Sequence, residues 1–316
     1  MTICKTDDFG DRAVAVFGDS ITHGANCPDI PGQSYIGLLK QRLEQKGVLR
    51  NYGFVSMEWS MRNACGRYDE LHQVRQGIEQ SWREERQPDN LGSYGLVSDR
   101  AGLTLEIALS RPYQYAYVYY TATPDGGVFT VRGGGRPATV NTRSRQVEQL
   151  RAGPFCVADQ KLTIESADNR TVTITGMGYY NDLNGPVVNN YANNGLRLVG
   201  LGDDLIGRMA RADTVIFSLG YNDSHFPTRK FEFVRKIDLL IAAVRQYGAK
   251  LYVNDFCWAL PEGNHFRHHL RRLAEKTNGV FIAQTDQAGR LDPIGAHPDA
   301  EGHRRIAEAL IRAMGL

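Results

Sequence analysis

Apolar positions recur along this chain in two rhythms, and the switch between them divides it into three stretches. Val14-Ala15-Val16-Phe17 is a short, continuous apolar run of the kind that forms a buried parallel strand, and it leads into Gly18-Asp19-Ser20 and a glycine-containing turn. Over residues 34–46, Tyr35, Leu38, Leu39 and Leu43 share one helical face with charges opposite, and Ser34 is placed to cap the helix. Residues 51–57 read as another short strand. The opening is therefore β, polar loop, α, β, which is how a parallel α/β sheet begins. Residues 65–90, polar with scattered apolar positions, are expected to be helix plus loop.

From about Ser93 the texture becomes β-rich. Segments 103–109, 115–120, 127–131, 161–165 and 171–175 follow one another, separated by turn residues such as Pro124-Asp125-Gly126-Gly127, Gly133-Gly134-Gly135 and Ala167-Asp168-Asn169. Strands at this spacing with no helical pattern between them predict an antiparallel β-sandwich. The tyrosine-rich segment 115–120 offers a sugar-stacking surface or ordinary strand packing, and packing weighs more.

Past Pro186 the α/β rhythm returns: a short helix at 203–209, a buried strand at 214–219, an amphipathic helix at 231–247, a strand at 250–254, a helix at 265–277, a strand at 280–283 and a helix at 300–314. The pattern predicts an α/β fold with a doubly wound (flavodoxin-like) parallel sheet, built discontinuously from residues 1–92 and 184–316. Residues 93–183 are the inserted antiparallel β-sandwich.

Composition narrows the function classes. The 316 residues are 42% hydrophobic and 23% charged with a net charge of +2, which argues for a folded protein and gives no basic footprint for nucleic acid. The basic run 267–272 reads as a solvated helix face. Five cysteines, Cys4, Cys27, Cys65, Cys156 and Cys257, are scattered without a C-x-x-C pair, so free thiols are expected rather than a disulfide scaffold or structural zinc. No apolar run reaches membrane-spanning length, and residues 1–12 are polar and acidic, unlike a secretory signal. The expectation is a protein without membrane contact, cytoplasmic by default, or phage-associated or extracellular if exported by another route.

Three loops at strand ends carry complementary chemistry. Ser20 follows the first strand, Asn222 lies in Gly220-Tyr221-Asn222-Asp223 after the strand at 214–219, and His297 lies between the last strand and the last helix. A doubly wound sheet gathers such loops at one edge. A serine nucleophile needs a base, for which His297 is suited, and donors for the oxyanion, for which the Asn222 amide and the Ser20 N–H are suited. Gly18-Asp19-Ser20, Gly220-Tyr221-Asn222-Asp223 and His297, in that order, resemble the SGNH (GDSL-type) esterases and lipases. That resemblance implies a fold of SGNH-hydrolase type, Ser20 as nucleophile, Asn222 as oxyanion donor and His297 as base. It also implies a glycine N–H in the oxyanion hole, and Asn193-Asn194-Gly195 matches best, with Gly200 and Gly202 as competitors. The family usually places its triad acid three residues before the histidine, where this chain has Ile294. Asp292, five residues before, takes the role, or His297 works in a dyad with a backbone carbonyl behind it.

Other residues have plainer readings. Asp19 shapes its loop, His303 is structural, His23 and His225 sit near the motifs as pocket-lining candidates, and His265, His268 and His269 form a helix surface rather than a metal site. No metal or organic cofactor is implied. The sandwich lies where a similar module interrupts the bacterial SGNH O-acetylesterases that act on peptidoglycan. The expectation is a serine esterase releasing acyl groups, most simply O-acetyl, from a poly- or oligosaccharide, within a larger phage or cell-surface assembly or alone. A lipase, thioesterase or acyltransferase with the same site is the rival within enzymes. A non-catalytic carbohydrate-binding module is the rival from another class.

Overall fold

A computed structural model describes residues 13–57, 82–258 and 264–316 in full, and the backbone of the strands Thr2–Lys5 and His72–Gln76. The chain divides into two compact units. One comprises Met1–Asp8 and Arg50–Gly185, the other Phe9–Leu49 and Pro186–Leu316.

The second unit is built on a parallel sheet. Its strands lie in the order Val187–Asn190, Ala13–Gly18, Thr214–Ser218, Lys250–Asp255, Val280–Ala283, each parallel to its neighbour. In chain order this is 2-1-3-4-5, the flavodoxin-like arrangement, with the switch point between the first and third strands. Val16, Ile216, Tyr252 and Ile282 share a buried cluster with Tyr35, Ile36, Leu39 and Leu43 of the helix Tyr35–Gln45 and with Ile306, Ala307 and Leu310 of Ala300–Met314. Both helices are capped as their sequences dictate: Ser34 Oγ accepts the Gly37 N–H at 3.1 Å and Asp299 Oδ1 the Gly302 N–H at 2.9 Å. The helices Lys230–Tyr247 and His265–Lys276 pack through Phe233 and Phe266, whose rings meet edge to face at 4.9 Å.

The first unit is a sandwich of two antiparallel sheets. Around the central strand Val172–Tyr180 lie Tyr115–Ala122 on one side and Tyr94–Ser98 and Gly53–Ser56 on the other; Glu148–Cys156, Thr2–Lys5 and Arg83–Arg86 extend that sheet. The other sheet runs Ala138–Asn141, Val128–Arg132, Lys161–Ser166, Thr104–Leu109, His72–Gln76. Inward side chains of both sheets form one cluster, in which Tyr120 meets Phe129 edge to face at 5.6 Å. The tyrosines serve packing: Tyr119 abuts Phe54 at 5.0 Å, and Tyr117 lies between Tyr180 at 5.3 Å and the Arg151 guanidinium at 5.0 Å.

Two expectations change here. Gly53–Ser56 pairs antiparallel with Val172–Tyr180, and Thr2–Lys5 with Glu148–Cys156, so the sandwich unit takes in Met1–Asp8 and Arg50–Gly185 rather than 93–183 alone. Within 65–90, His72–Gln76 and Arg83–Arg86 are strands rather than helix; residues 65–71 and 77–81 lie outside the described residues.

Candidate active site

The turn that carries Ser20 follows from two local constraints. At Gly18 an added Cβ would fall 2.0 Å from Thr22 Oγ1, so only glycine lets the strand pass this close to the turn that follows. Asp19 then caps the short helix Ser20–His23, its Oδ1 accepting the Ile21 N–H at 3.0 Å. Ser20 is thereby held in the first turn, 4% exposed, at the carboxyl end of the first strand. Behind it, the buried Tyr35 hydroxyl stands 2.9 Å from Thr22 Oγ1 and 3.0 Å from Ser218 Oγ, and Asn254 Nδ2 donates to that same Ser218 oxygen at 3.0 Å.

His297 and Asp292 meet Ser20 in line. His297 Nε2 is 2.8 Å from Ser20 Oγ, and His297 Nδ1 is 2.6 Å from Asp292 Oδ2. The five-residue spacing works because residues 292–297 close into a tight turn. The Asp292 N–H donates to the His297 carbonyl at 2.9 Å, the Gly295 N–H to the Asp292 carbonyl at 2.9 Å, and Leu291 bridges Pro298. Asp292 Oδ1 also accepts the Ala296 and His297 N–H groups at 2.9 and 3.2 Å. Partial burial pushes the Asp292 carboxyl up, but the His297 ring and these two N–H groups outweigh it and hold the carboxyl below its ordinary range. An ionised carboxylate only accepts, so Nδ1 carries the ring proton and Nε2 presents its lone pair to the serine hydroxyl.

The oxyanion candidates come from neighbouring loops. Asn193, fully buried, donates its N–H to the Gly18 carbonyl at 3.1 Å and so ties the turn containing Gly195 to the nucleophile strand. Among the described residues, neither the Ser20 N–H nor the Gly195 N–H has an acceptor. Asn222 Nδ2 lies 3.1 Å from the Leu196 carbonyl and 3.4 Å from Asp19 Oδ2. Asp223 completes the tie, its two oxygens accepting the Leu198 and Val199 N–H groups at 2.9 and 3.1 Å. Burial raises Asp19 to about 7, against the pull of the Ile21 N–H, and Asp223 adds to the rise; burial likewise raises Asp223 to about 6.

Ser20, His297, Asp292 and Asn222 are thus bonded into one site, and Gly195 stands on the turn bonded to it. Gly200 closes the short helical turn Leu198–Gly200, its N–H donating to the Arg197 carbonyl at 3.1 Å, and Gly202 caps Asp203–Met209. His303 is structural: its Nδ1 accepts the Tyr35 N–H at 3.3 Å, and burial pushes it down to about 4. His225 stacks on Tyr221 at 4.1 Å, beside Asn222, and His23 ends the nucleophile turn. The rings of His265 and His269 lie 4.5 Å apart, yet among the described residues no group of three potential ligands gathers that could hold a metal. Cys27, Cys156 and Cys257 are free thiols, while the side chains of Cys4 and Cys65 lie outside the described residues. Among the described residues no helix is long and apolar enough to cross a membrane. The two-loop tie made by Asp223 was not anticipated; its position after Asn222 in the motif was the only signal.

The parallel 2-1-3-4-5 sheet with these loops and an inserted sandwich is the fold of the SGNH hydrolases. A solved structure of a peptidoglycan O-acetylesterase superimposes with a TM-score of 0.70 at 17% identity, over 97% of this chain and 91% of that one. A family two carbohydrate esterase from Cellvibrio japonicus (12% identity, 78% of this chain and 99% of that one, TM-score 0.30) superimposes too loosely to bear on the argument. So does a salicylyl-acyltransferase from a tetracycline biosynthetic pathway (12% identity, 83% and 97%, TM-score 0.36). No family model matches the sequence, and no curated protein matches it.

Proposed function

We propose that the protein is a serine esterase of SGNH type that removes O-acetyl groups from a glycan. The observation that carries this reading is the line Ser20 Oγ, His297, Asp292 at 2.8 and 2.6 Å, set at the carboxyl edge of a parallel sheet. His297 Nε2 takes the Ser20 proton as Oγ attacks the acyl carbon, and Asp292 stabilises the imidazolium. The N–H groups of Ser20 and Gly195 and the Asn222 amide receive the developing oxyanion, the weak 3.4 Å contact to Asp19 being the one Asn222 gives up. Collapse expels the sugar alkoxide, which takes the proton from His297 and leaves acetyl-Ser20. Water then attacks, giving a proton to His297, and the second collapse returns that proton to Ser20 and frees acetate.

The O-acetyl glycan substrate is supported by the fold shared with a peptidoglycan O-acetylesterase along nearly the whole chain. Such a polymer lies outside the cytoplasm, so a phage-borne or exported setting is part of the reading. The test is acetate release from a panel of O-acetylated polysaccharides and from 4-nitrophenyl acetate. Wild type should release acetate, and Ser20→Ala should lower kcat by at least about a thousandfold. A variant as active as wild type would remove Ser20 from the mechanism.

A further inference from the structure

Five strands end at the carboxyl edge of the parallel sheet, and four of the loops that follow supply the groups described above. The fifth, after Lys250–Asp255, lies between the strands that lead to Asn222 and to His297, and among its described residues it supplies none. Its carboxylate is already committed: Asp255 is fully buried, accepting from Arg267 Nε at 2.7 Å and from the Cys257 N–H at 3.0 Å. What this loop sends forward is aromatic. Phe256 is buried against Tyr35 at 5.7 Å, and the half-buried Trp258 packs on Phe256 at 5.4 Å and on Tyr221 at 5.9 Å.

Tyr221 adjoins Asn222 in the chain, and burial together with the Asp19 and Asp292 charges pushes its phenol up to about 12. His225 also stacks on Tyr221, nearly parallel at 25° and 4.1 Å, and is exposed. Phe226, next in the chain, is 55% exposed. The ring series Trp258, Tyr221, His225 therefore runs along the catalytic edge and ends in solvent. The cleft of about 380 Å³ next to Asp292 presents polar and apolar surface in nearly equal measure, from Asn26, Arg290, Asp292 and Asp299 and from Leu291 and Pro293.

An acyl chain is held by an enclosed apolar channel, whereas a sugar ring offers a C–H face to an aromatic surface and its hydroxyls to polar groups. An aromatic edge that ends in solvent matches the sugar rather than the acyl chain. We infer that Trp258, with His225, forms a stacking surface for a pyranose ring of the substrate, holding its ester over Ser20. This inference rests on the glycan-ester reading and names the residues that select the sugar.

The test compares wild type, Trp258→Ala and Trp258→Phe on acetylated xylan oligosaccharides, O-acetylated peptidoglycan and 4-nitrophenyl acetate. On whichever glycan is cleaved, Trp258→Ala should raise KM at least tenfold and lower the ratio of glycan to 4-nitrophenyl acetate kcat/KM by a similar factor. Trp258→Phe should recover most of that loss. A parallel fall on glycan and small ester, or an unchanged glycan KM, overturns the stacking surface. Cleavage of 4-nitrophenyl acetate but of neither glycan also overturns it, while leaving the serine esterase chemistry standing. If wild type cleaves neither class of ester, the reading at Ser20 fails, and the surface is judged by glycan binding in calorimetry: weaker binding by Trp258→Ala supports it, equal binding overturns it.

Discussion

Asp292, the candidate acid, shows how residue chemistry and chain spacing separate. Asp292 and His297 are five positions apart, and a spacing alone does not say which carboxylate a ring will meet. The answer lies in the 292–297 turn, where one carboxylate oxygen takes two backbone N–H groups and the other faces Nδ1 at 2.6 Å. Asp292→Asn keeps an acceptor but can present an N–H to the ring, favouring the wrong tautomer. The expected outcome is a fall in kcat on the order of 10³- to 10⁴-fold with little change in KM, read by steady-state kinetics on 4-nitrophenyl acetate. An undiminished kcat would mean a dyad. Ser20, Asn222 and His297 were legible in the sequence because each stands just beyond an apolar run, in a motif whose order matches a family. Asp292 was legible only as a candidate. Trp258 was not legible: a tryptophan after a strand looks like core until the sheet order puts its loop between those that carry Asn222 and His297.

At the scale of elements, two glycines position the site for different physical reasons. Gly18 is required by space, since its Cβ would strike the buried Thr22 side chain, which the Tyr35 hydroxyl contacts at 2.9 Å. Gly195 is required by conformation: it has φ +65° and nothing within 4 Å of an added Cβ. Gly18→Ala should therefore destabilise by about 1–3 kcal/mol through overpacking and displace Ser20. Gly195→Ala should cost about 1 kcal/mol of backbone strain, with its loss falling on kcat as the N–H is misaimed. Thermal melts and kinetics on the pair check this, and a Gly195→Ala enzyme with wild-type kcat would remove that N–H from the oxyanion hole. The parallel strands and their helices were legible because continuous apolar runs and 3.6-residue stripes differ plainly. Gly53–Ser56 was misplaced because apolar pattern reports burial, not the partner strand. Arg83–Arg86, an edge strand of charged and largely exposed residues, carries no apolar signal at all.

For the whole molecule the telling quantity is stability against pH, because buried ionisable groups of opposite sign sit in the α/β unit. Asp19 and Asp223 hold protons up to about 7 and about 6, well above the ordinary carboxylate value of 3.8. The native state thus keeps protons that the unfolded chain releases, so this contribution to stability falls as pH rises from about 4 to about 7 and is level beyond. His303, held down to about 4 from 6.5, acts the other way: the unfolded chain binds a proton that the native state refuses, so its contribution rises over about pH 4 to 6.5. The two trends oppose one another up to about pH 6.5; Asp19 acts on to about 7, where the buried Lys40, pushed down from 10.5 to about 7, begins to act in the same sense as His303. Asp19→Asn isolates the Asp19 contribution. The variant keeps an acceptor for the Ile21 N–H, and its amide, facing Asn222 Nδ2, adds a cost that does not depend on pH. Its stability relative to wild type, followed by melting temperature, should therefore climb from pH 5 to about 7 and then level to pH 8, with a ceiling of about 3 kcal/mol over those two units. A difference that stays flat across that range would mean that the carboxylate beside the nucleophile is ionised throughout.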